Sequence, residues 1–207
     1  MGRTRDVSKI LTSNTSILSL ASASATYAPI SSTGLVLIKP STVVNGTDNG
    51  KGTVNVSGAS TVSLNDVFNA NYTNYRIICN LTGTATGQLQ MRMRVSGSDN
   101  SASVYTQQFI TGDSGSIGGS RTVNDSRWYV GRTKNTLALP FVNDIFNPFA
   151  TARTTMTNYY PDNIDSDTIN TTQNWAALEV TTSYTGFTIL AESGNFSGTV
   201  SVYGYNN

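Results

Sequence analysis

Three groupings in this sequence hold residue types able to do chemistry. Arg121, Arg127, Arg132 and Lys134 surround Trp128 and Tyr129, a basic and aromatic mixture of the kind that contacts phosphates while stacking on bases or sugars. Asp125 interrupts it and the net charge of the chain is only +1. Both argue against nucleic acid, whose affinity rests on accumulated positive charge. Arg127, Trp128 and Tyr129, together with Tyr159 and Tyr160, therefore stand as candidate contacts to a glycan or a neighbouring subunit. Asp162, Asp165 and Asp167 follow Tyr160-Pro161 and place three carboxylates in one predicted loop. An EF-hand would demand Gly at its sixth position and Glu at its twelfth, and neither fits. The plainer reading is an exposed acidic loop. Arg92 and Arg94 share one face of a predicted strand and could fork onto a carboxylate; the plainer reading is a solvated sheet face.

What is missing narrows the chemistry further. The 207 residues contain no His and one Cys, Cys79, so a Ser-His-Asp triad, a Cys-His pair, a His/Cys zinc site and disulfide stapling all lack their parts. Cys79, between Ile78 and Asn80, reads as a small buried hydrophobe. Glycoside hydrolysis needs only two carboxyl groups, yet nothing in the sequence sets one acid apart from its neighbours. The expectation is a protein without catalytic residues, metal or cofactor. Charged residues make up 12% of the chain, about half the usual share near 25%, so polarity comes from Ser, Thr, Asn and Gly. No stretch approaches the roughly 18 apolar residues of a membrane-spanning helix. The opening residues lack the continuous apolar segment of a secretory signal, and the Asn-x-Ser/Thr sequons, Asn45-Gly46-Thr47 among them, are read as unused.

The elements that must position these residues fall into two parts. Residues 1–33 are expected to form an extended or partly helical arm and linker. Val7, Ile10, Leu11, Ile17 and Leu18 lie near helical spacing with little between them to make a core, and a small-residue run, Ala21 to Ala28, ends at Pro29. Such an arm needs a partner surface to bury its apolar side chains. From Leu35 onward short β-type runs alternate with turn residues. Leu35–Ile38, Tyr75–Leu81, Val104–Ile110, Trp128–Val130, Leu137–Val142, Ala152–Met156, Ala176–Thr181, Gly186–Leu190 and Thr199–Tyr205 read as strands, and Thr53–Val56 with Thr61–Leu64 as a hairpin. Leu89, Met91, Met93 and Val95 alternate with Gln90, Arg92 and Arg94, the clearest half-buried strand. The only helical expectation after Gly34 is a short turn at Leu64–Asn69. Together these predict an all-β fold for residues 34–207, an antiparallel β-sandwich of jelly-roll type.

Three blocks carry a resemblance to a known group. Tyr184–Leu190 continuing through Gly194–Asn206 resembles the C-terminal ends of structural proteins of tailed bacteriophages, those of marine and cyanobacterial phages above all. Val67–Ile77 with Leu89–Ser98 is a second matching block, and Gly2–Leu11 looks like the virion-attaching start of phage fibre-like proteins. The resemblance implies a virion protein, a short tail fibre or capsid decoration, without enzymatic activity. It would dock on other virion proteins (capsid, portal-adaptor or tail subunits) through Val7, Ile10, Leu11, Ile17 and Leu18, as a homo-oligomer and by analogy a trimer. It implies no nucleic acid and no membrane insertion. Attachment to a host surface glycan is the alternative, and a polysaccharide depolymerase a third.

Overall fold

Apolar residues at every second position bury one face of a strand and leave the other free, and this chain repeats that pattern often enough to build two layers. The computed structural model describes residues 34–206 except 114, 136, 166 and 167, with side chains undescribed at 163–165 and 168. The arm and its candidates Val7, Ile10, Leu11, Ile17 and Leu18 lie outside the described residues. Among the described residues there is no helix.

All pairing between named strands is antiparallel, as the sequence predicts. The larger sheet contains β3 (Thr47–Asp48), β4 (Thr53–Ala59), β6 (Asn74–Gly83), β9 (Tyr105–Asp113), β10 (Ser116–Asp125), β12 (Leu139–Phe146), β13 (Thr155–Asp165), β14 (Thr168–Leu178) and β16 (Phe196–Asn206). Their order is β10-β9-β14-β13-β12-β6-β16-β4-β3, with β1 (Gly34–Ile38) also paired to β16. The smaller sheet has the order β11-β7-β15-β5-β2, formed by β2 (Thr42–Val44), β5 (Thr61–Asn65), β7 (Gly87–Val95), β11 (Trp128–Thr133) and β15 (Gly186–Ala191), with β8 (Ser98–Asp99) folded back on β7.

The layers meet over one core. Tyr75, Ile77, Cys79, Leu81, Val200 and Val202 from the larger sheet face Leu64, Leu89, Met91, Met93, Phe187 and Ile189 from the smaller. Phe68 lies between them, edge-on to Tyr75 at 4.8 Å and tilted on Phe187 at 5.8 Å. Burial alone pushes the Cys79 thiol up, which fits a packing role.

Three local expectations are corrected. Thr53–Ala59 and Thr61–Asn65 do not form a hairpin: β4 pairs with β16 and β5 with β15, so the chain turns a corner at Ser60 from one layer to the other. Val54, Val56, Val62 and Leu64 are buried either way, which is why alternation cannot tell a corner from a hairpin. Leu64–Asn69 makes no helical turn; Asp66 sits at φ 56° and accepts a hydrogen bond from Ser41. The acidic loop is largely strand. β13 and β14 pair from Thr155↔Ala177 out to Asp165↔Thr168, with a bulge between Pro161 and Asn163 that accommodates a residue unable to donate a ladder hydrogen bond.

Candidate functional site

The larger sheet is wider than the smaller one, and a cleft forms where the cover ends. β11 is the edge strand of the smaller sheet and lies across the inner face of β9, β14 and β13. Its exposed backbone is closed by side chains: Gln107 Oε1 accepts from the Tyr129 N–H at 2.8 Å, and the Asn158 and Asn174 amides donate to the Tyr129 carbonyl at 3.2 and 3.0 Å. Asn143, Asn158 and Asn174 are cross-strand neighbours on β12, β13 and β14, and Asn158 also donates to Asn143 Oδ1 at 3.0 Å. This buried amide ladder satisfies an edge that would otherwise cost unpaired backbone groups.

Beyond the ladder the inner face changes character. Where the smaller sheet covers it the lining is Ile145, Met156, Tyr105 and Leu178; past Tyr129 it is Thr111, Thr172, Ser120 and Thr122. Every residue from Ser116 to Arg121 is exposed, so neither face of that part of β10 is covered. The resulting cleft has a volume of about 230 Å³. Phe109, Tyr129 and Tyr160 supply its aromatic surface, with the Phe109 and Tyr129 rings 5.9 Å apart at 53°. Asp162 enters from the bulged part of β13 and accepts from Arg132 at 2.7 Å. Burial pushes the Tyr160 phenol up, and the nearby Asp162 charge adds to the shift, so its hydroxyl stays protonated across the neutral range.

The five candidate contacts do not form one site. Trp128 is 0% exposed, packs edge-on to Tyr105 at 5.4 Å and points its indole N–H toward the Ala177 carbonyl at 3.4 Å. It is a core residue and has no surface to offer a ligand, a correction that follows from alternation with buried Val130 on the same strand. Tyr129 and Tyr160 line the cleft, whereas Tyr159, next to Tyr160, points to the opposite face of the sheet and is 60% exposed. Arg127 lies 4.0 Å from Asp125 in the turn before β11. Arg121 sits beside Trp175 on the outer face and Arg132 turns inward to Asp162, so the basic grouping is dispersed. Asp162 is held singly in the cleft; the Asp165 side chain and Asp167 lie outside the described residues. Among the described residues no three metal-ligating side chains gather. Phe109, Thr111, Ser120, Thr122 and Thr172 were missed as site residues. Only cross-strand register joins them, and one chain segment carries no signal of that.

Arg94 also departs from expectation. It is 9% exposed and donates to Ser63, Asn65 and Thr188 at 3.1, 2.9 and 2.8 Å, and to Asp99 and the Gly97 carbonyl. The face expected to be solvated is sealed there by its own polar lattice. Arg92 donates to the Ser126 carbonyl at 3.2 Å.

The outer face of the larger sheet is the second candidate surface. Ile110, Gln173, Tyr159, Val142 and Ile78 form one cross-strand row over β9, β14, β13, β12 and β6. Ile169 is 69% exposed and Trp175 62%, and a groove of about 420 Å³ runs between Ile78, Val142, Pro161 and Ile169. Beside this row Arg76 holds Asp144 in a two-pronged pair at 2.8 and 2.7 Å, Tyr205 donates to the same carboxylate at 2.7 Å, and the guanidinium lies 5.5 Å from the Tyr205 ring centre.

No family model matches the chain. No curated protein matches it by sequence either. Among solved structures it is similar to arcelin-5, a lectin-like defence protein from Phaseolus vulgaris, at 9% identity and a TM-score of 0.23, covering 83% of this chain and 92% of that one. It is also similar to the catalytic domain of an endo-1,3-beta-glucanase (laminarinase) from Thermotoga petrophila RKU-1, at 12% identity and a TM-score of 0.21, covering 79% and 81%. Superposition this loose carries no argument about what the chain does.

Proposed function

We propose that this protein is a non-enzymatic structural component of a tailed-bacteriophage particle, attached through residues 1–33 and presenting its β-sandwich at the particle surface as a short tail fibre or capsid decoration. The observation that supports the reading most is the apolar groove on the outer face of the larger sheet, where Ile78, Tyr159 and Ile169 are exposed around Val142 and Pro161. Exposed apolar patches rimmed by polar residues mark sites where proteins assemble with others, and a chain with net charge +1 meets little repulsion on packing many copies together. Among the described residues, two of the segments that resemble phage proteins are also adjacent in space: β6 and β16 pair within them from Ile77↔Val202 to Tyr75↔Gly204, and the Phe68 N–H donates to the Thr185 carbonyl at 3.0 Å. Deleting residues 1–25 should abolish incorporation into particles assembled in infected cells, read by immunoblot of purified particles. Unchanged incorporation would overturn docking through the arm.

The cleft favours a second reading, recognition of a host surface glycan. Its single described carboxylate, Asp162, is tied to Arg132, whereas glycoside hydrolysis works through two acids placed across the scissile bond. Binding without cleavage is the chemistry these residues suit.

A further inference from the structure

We propose that the cleft between β9–β10, β13–β14 and the edge of β11 is a binding site for one neutral pyranose ring of a surface glycan, with Tyr129 as its stacking platform and Asp162 as its hydroxyl acceptor. The proposal rests on the glycan reading and names the site and the sugar class. Size comes first: at about 230 Å³ the cleft falls below the roughly 300–1,000 Å³ of pockets that enclose drug-sized ligands, so it takes a single ring and leaves the rest of a chain in solvent. Its chemistry is two-sided in the way a sugar is. The half-buried Tyr129 ring, backed by Phe109 at 5.9 Å, offers an apolar plane to the C–H face of a pyranose. The larger sheet contributes the hydroxyls of Ser120 and Thr122, and β7, paired with β11, contributes the Gln88 amide, groups able both to donate and to accept and so matched to vicinal hydroxyls.

Charge decides the class. Asp162 is the one formally charged residue of the lining, and its partner Arg132, 2.7 Å away, is already engaged by it. A uronic or sialic acid would bring a second carboxylate beside that of Asp162, a like charge that disfavours it, while a neutral sugar meets an acceptor that Arg132 holds in place. Placement follows from the fold: under the smaller sheet the inner face is apolar up to the amide ladder beneath β11, and past that ladder it turns to Thr and Ser, yet Tyr129, Tyr160 and Phe109 remain there. Aromatic side chains inside a hydroxyl frame are what a solvated edge would not need and a sugar would use.

The test is saturation-transfer NMR and titration of the full chain with methyl glycosides of glucose, galactose, mannose and N-acetylglucosamine, with glucuronic and sialic acid as charged comparisons. At least one neutral glycoside should bind. Tyr129→Ala should weaken it about three- to tenfold, the range of one aromatic contact, Tyr129→Phe should retain it, and Asp162→Asn should weaken it several-fold. Thr122→Val, a change on exposed β10 that leaves the core alone, should also weaken it, and the exposed Lys51→Ala should not. Neutral-sugar binding that ignores Tyr129→Ala, Asp162→Asn and Thr122→Val would overturn the cleft and leave the glycan reading standing. A preference for the acidic sugars would overturn the neutral class. Failure of the whole panel, together with no binding to intact host polysaccharide, would overturn the site and the glycan reading together.

Discussion

The outer faces of the two sheets solve the same problem in opposite ways. On the smaller sheet, Arg94, Ser63, Thr188 and Gln90 point away from the core yet are all buried, because β8 folds back and Asp99 accepts from both Arg94 and Thr188. Arg94, Ser63 and Thr188 there find hydrogen-bond partners within the chain. On the larger sheet, Ile110, Tyr159, Ile169 and Trp175 point outward and stay exposed. The contrast separates a polar face that the fold completes by itself from an apolar one that it leaves open. Hydrogen bonds are directional and close locally, whereas an apolar face needs area, and area on a flat sheet is available only from another surface.

The contrast can be broken first at Arg94. Arg94→Ala leaves Asp99, Ser63 and Thr188 without their shared donor in a poorly solvated place, and should lower unfolding free energy by about 3 kcal/mol, measured by chemical denaturation. A loss below about 1 kcal/mol would mean that the lattice is solvated after all.

A smaller effect is expected from the charged group on the outer face, and it depends on pH. Burial alone would raise the Asp144 carboxyl, but hydrogen bonds from Arg76 and Tyr205 outweigh it and hold the carboxyl below its ordinary value. The folded state then binds fewer protons than the unfolded state near the ordinary carboxylate range, so the stabilisation is present above pH 3.8 and fades as pH falls through the lowered folded-state value. Tyr205 runs the other way. Desolvation, then its hydrogen bond to Asp144, pushes it up to about 12 from 10.0, so the unfolded state loses its proton first and stability declines between pH 10 and about 12. Melting curves of Tyr205→Phe should lack part of the alkaline decline, the rest coming from Tyr75, Tyr105 and Tyr160, whose phenols burial also pushes up, and those of Asp144→Asn should lack part of the acid one. Identical pH profiles in both variants would show that the group is not formed in solution.

The smallest change in stability should come from the exposed row. Ile110→Ser with Trp175→Ser should leave stability within about 0.5 kcal/mol while reducing self-association or incorporation into particles, read by sedimentation and by immunoblot of particles. A large loss of stability would place this face in the fold rather than in assembly.

How far the sequence could be read varied with the reach of the interaction. The strand around Leu89–Val95 was legible because its alternation is a local property, and so were Tyr75–Leu81 and Thr199–Tyr205. Ser116–Arg121 carried no strand signal, since Gly118, Gly119 and Ser120 have low strand preference and pair only because β9 lies alongside. Pro161 and Asp162 read as loop residues, and a bulge let them into a strand. Trp128 read as a surface aromatic from its basic neighbours, while its position two before Val130 on one strand placed it inward.

By itself the sequence determined the antiparallel, all-strand class, the absence of His-based chemistry and most of the core, because composition and two-residue periodicity are fixed by residue order alone. The tertiary structure decided which strands belong to which layer, that Tyr159 and Tyr160 serve opposite faces, and that Phe109, Tyr129 and Asp162 meet in one cleft. Those outcomes depend on register between strands far apart in the chain, and a shift of one residue in pairing would turn every side chain involved to the other side.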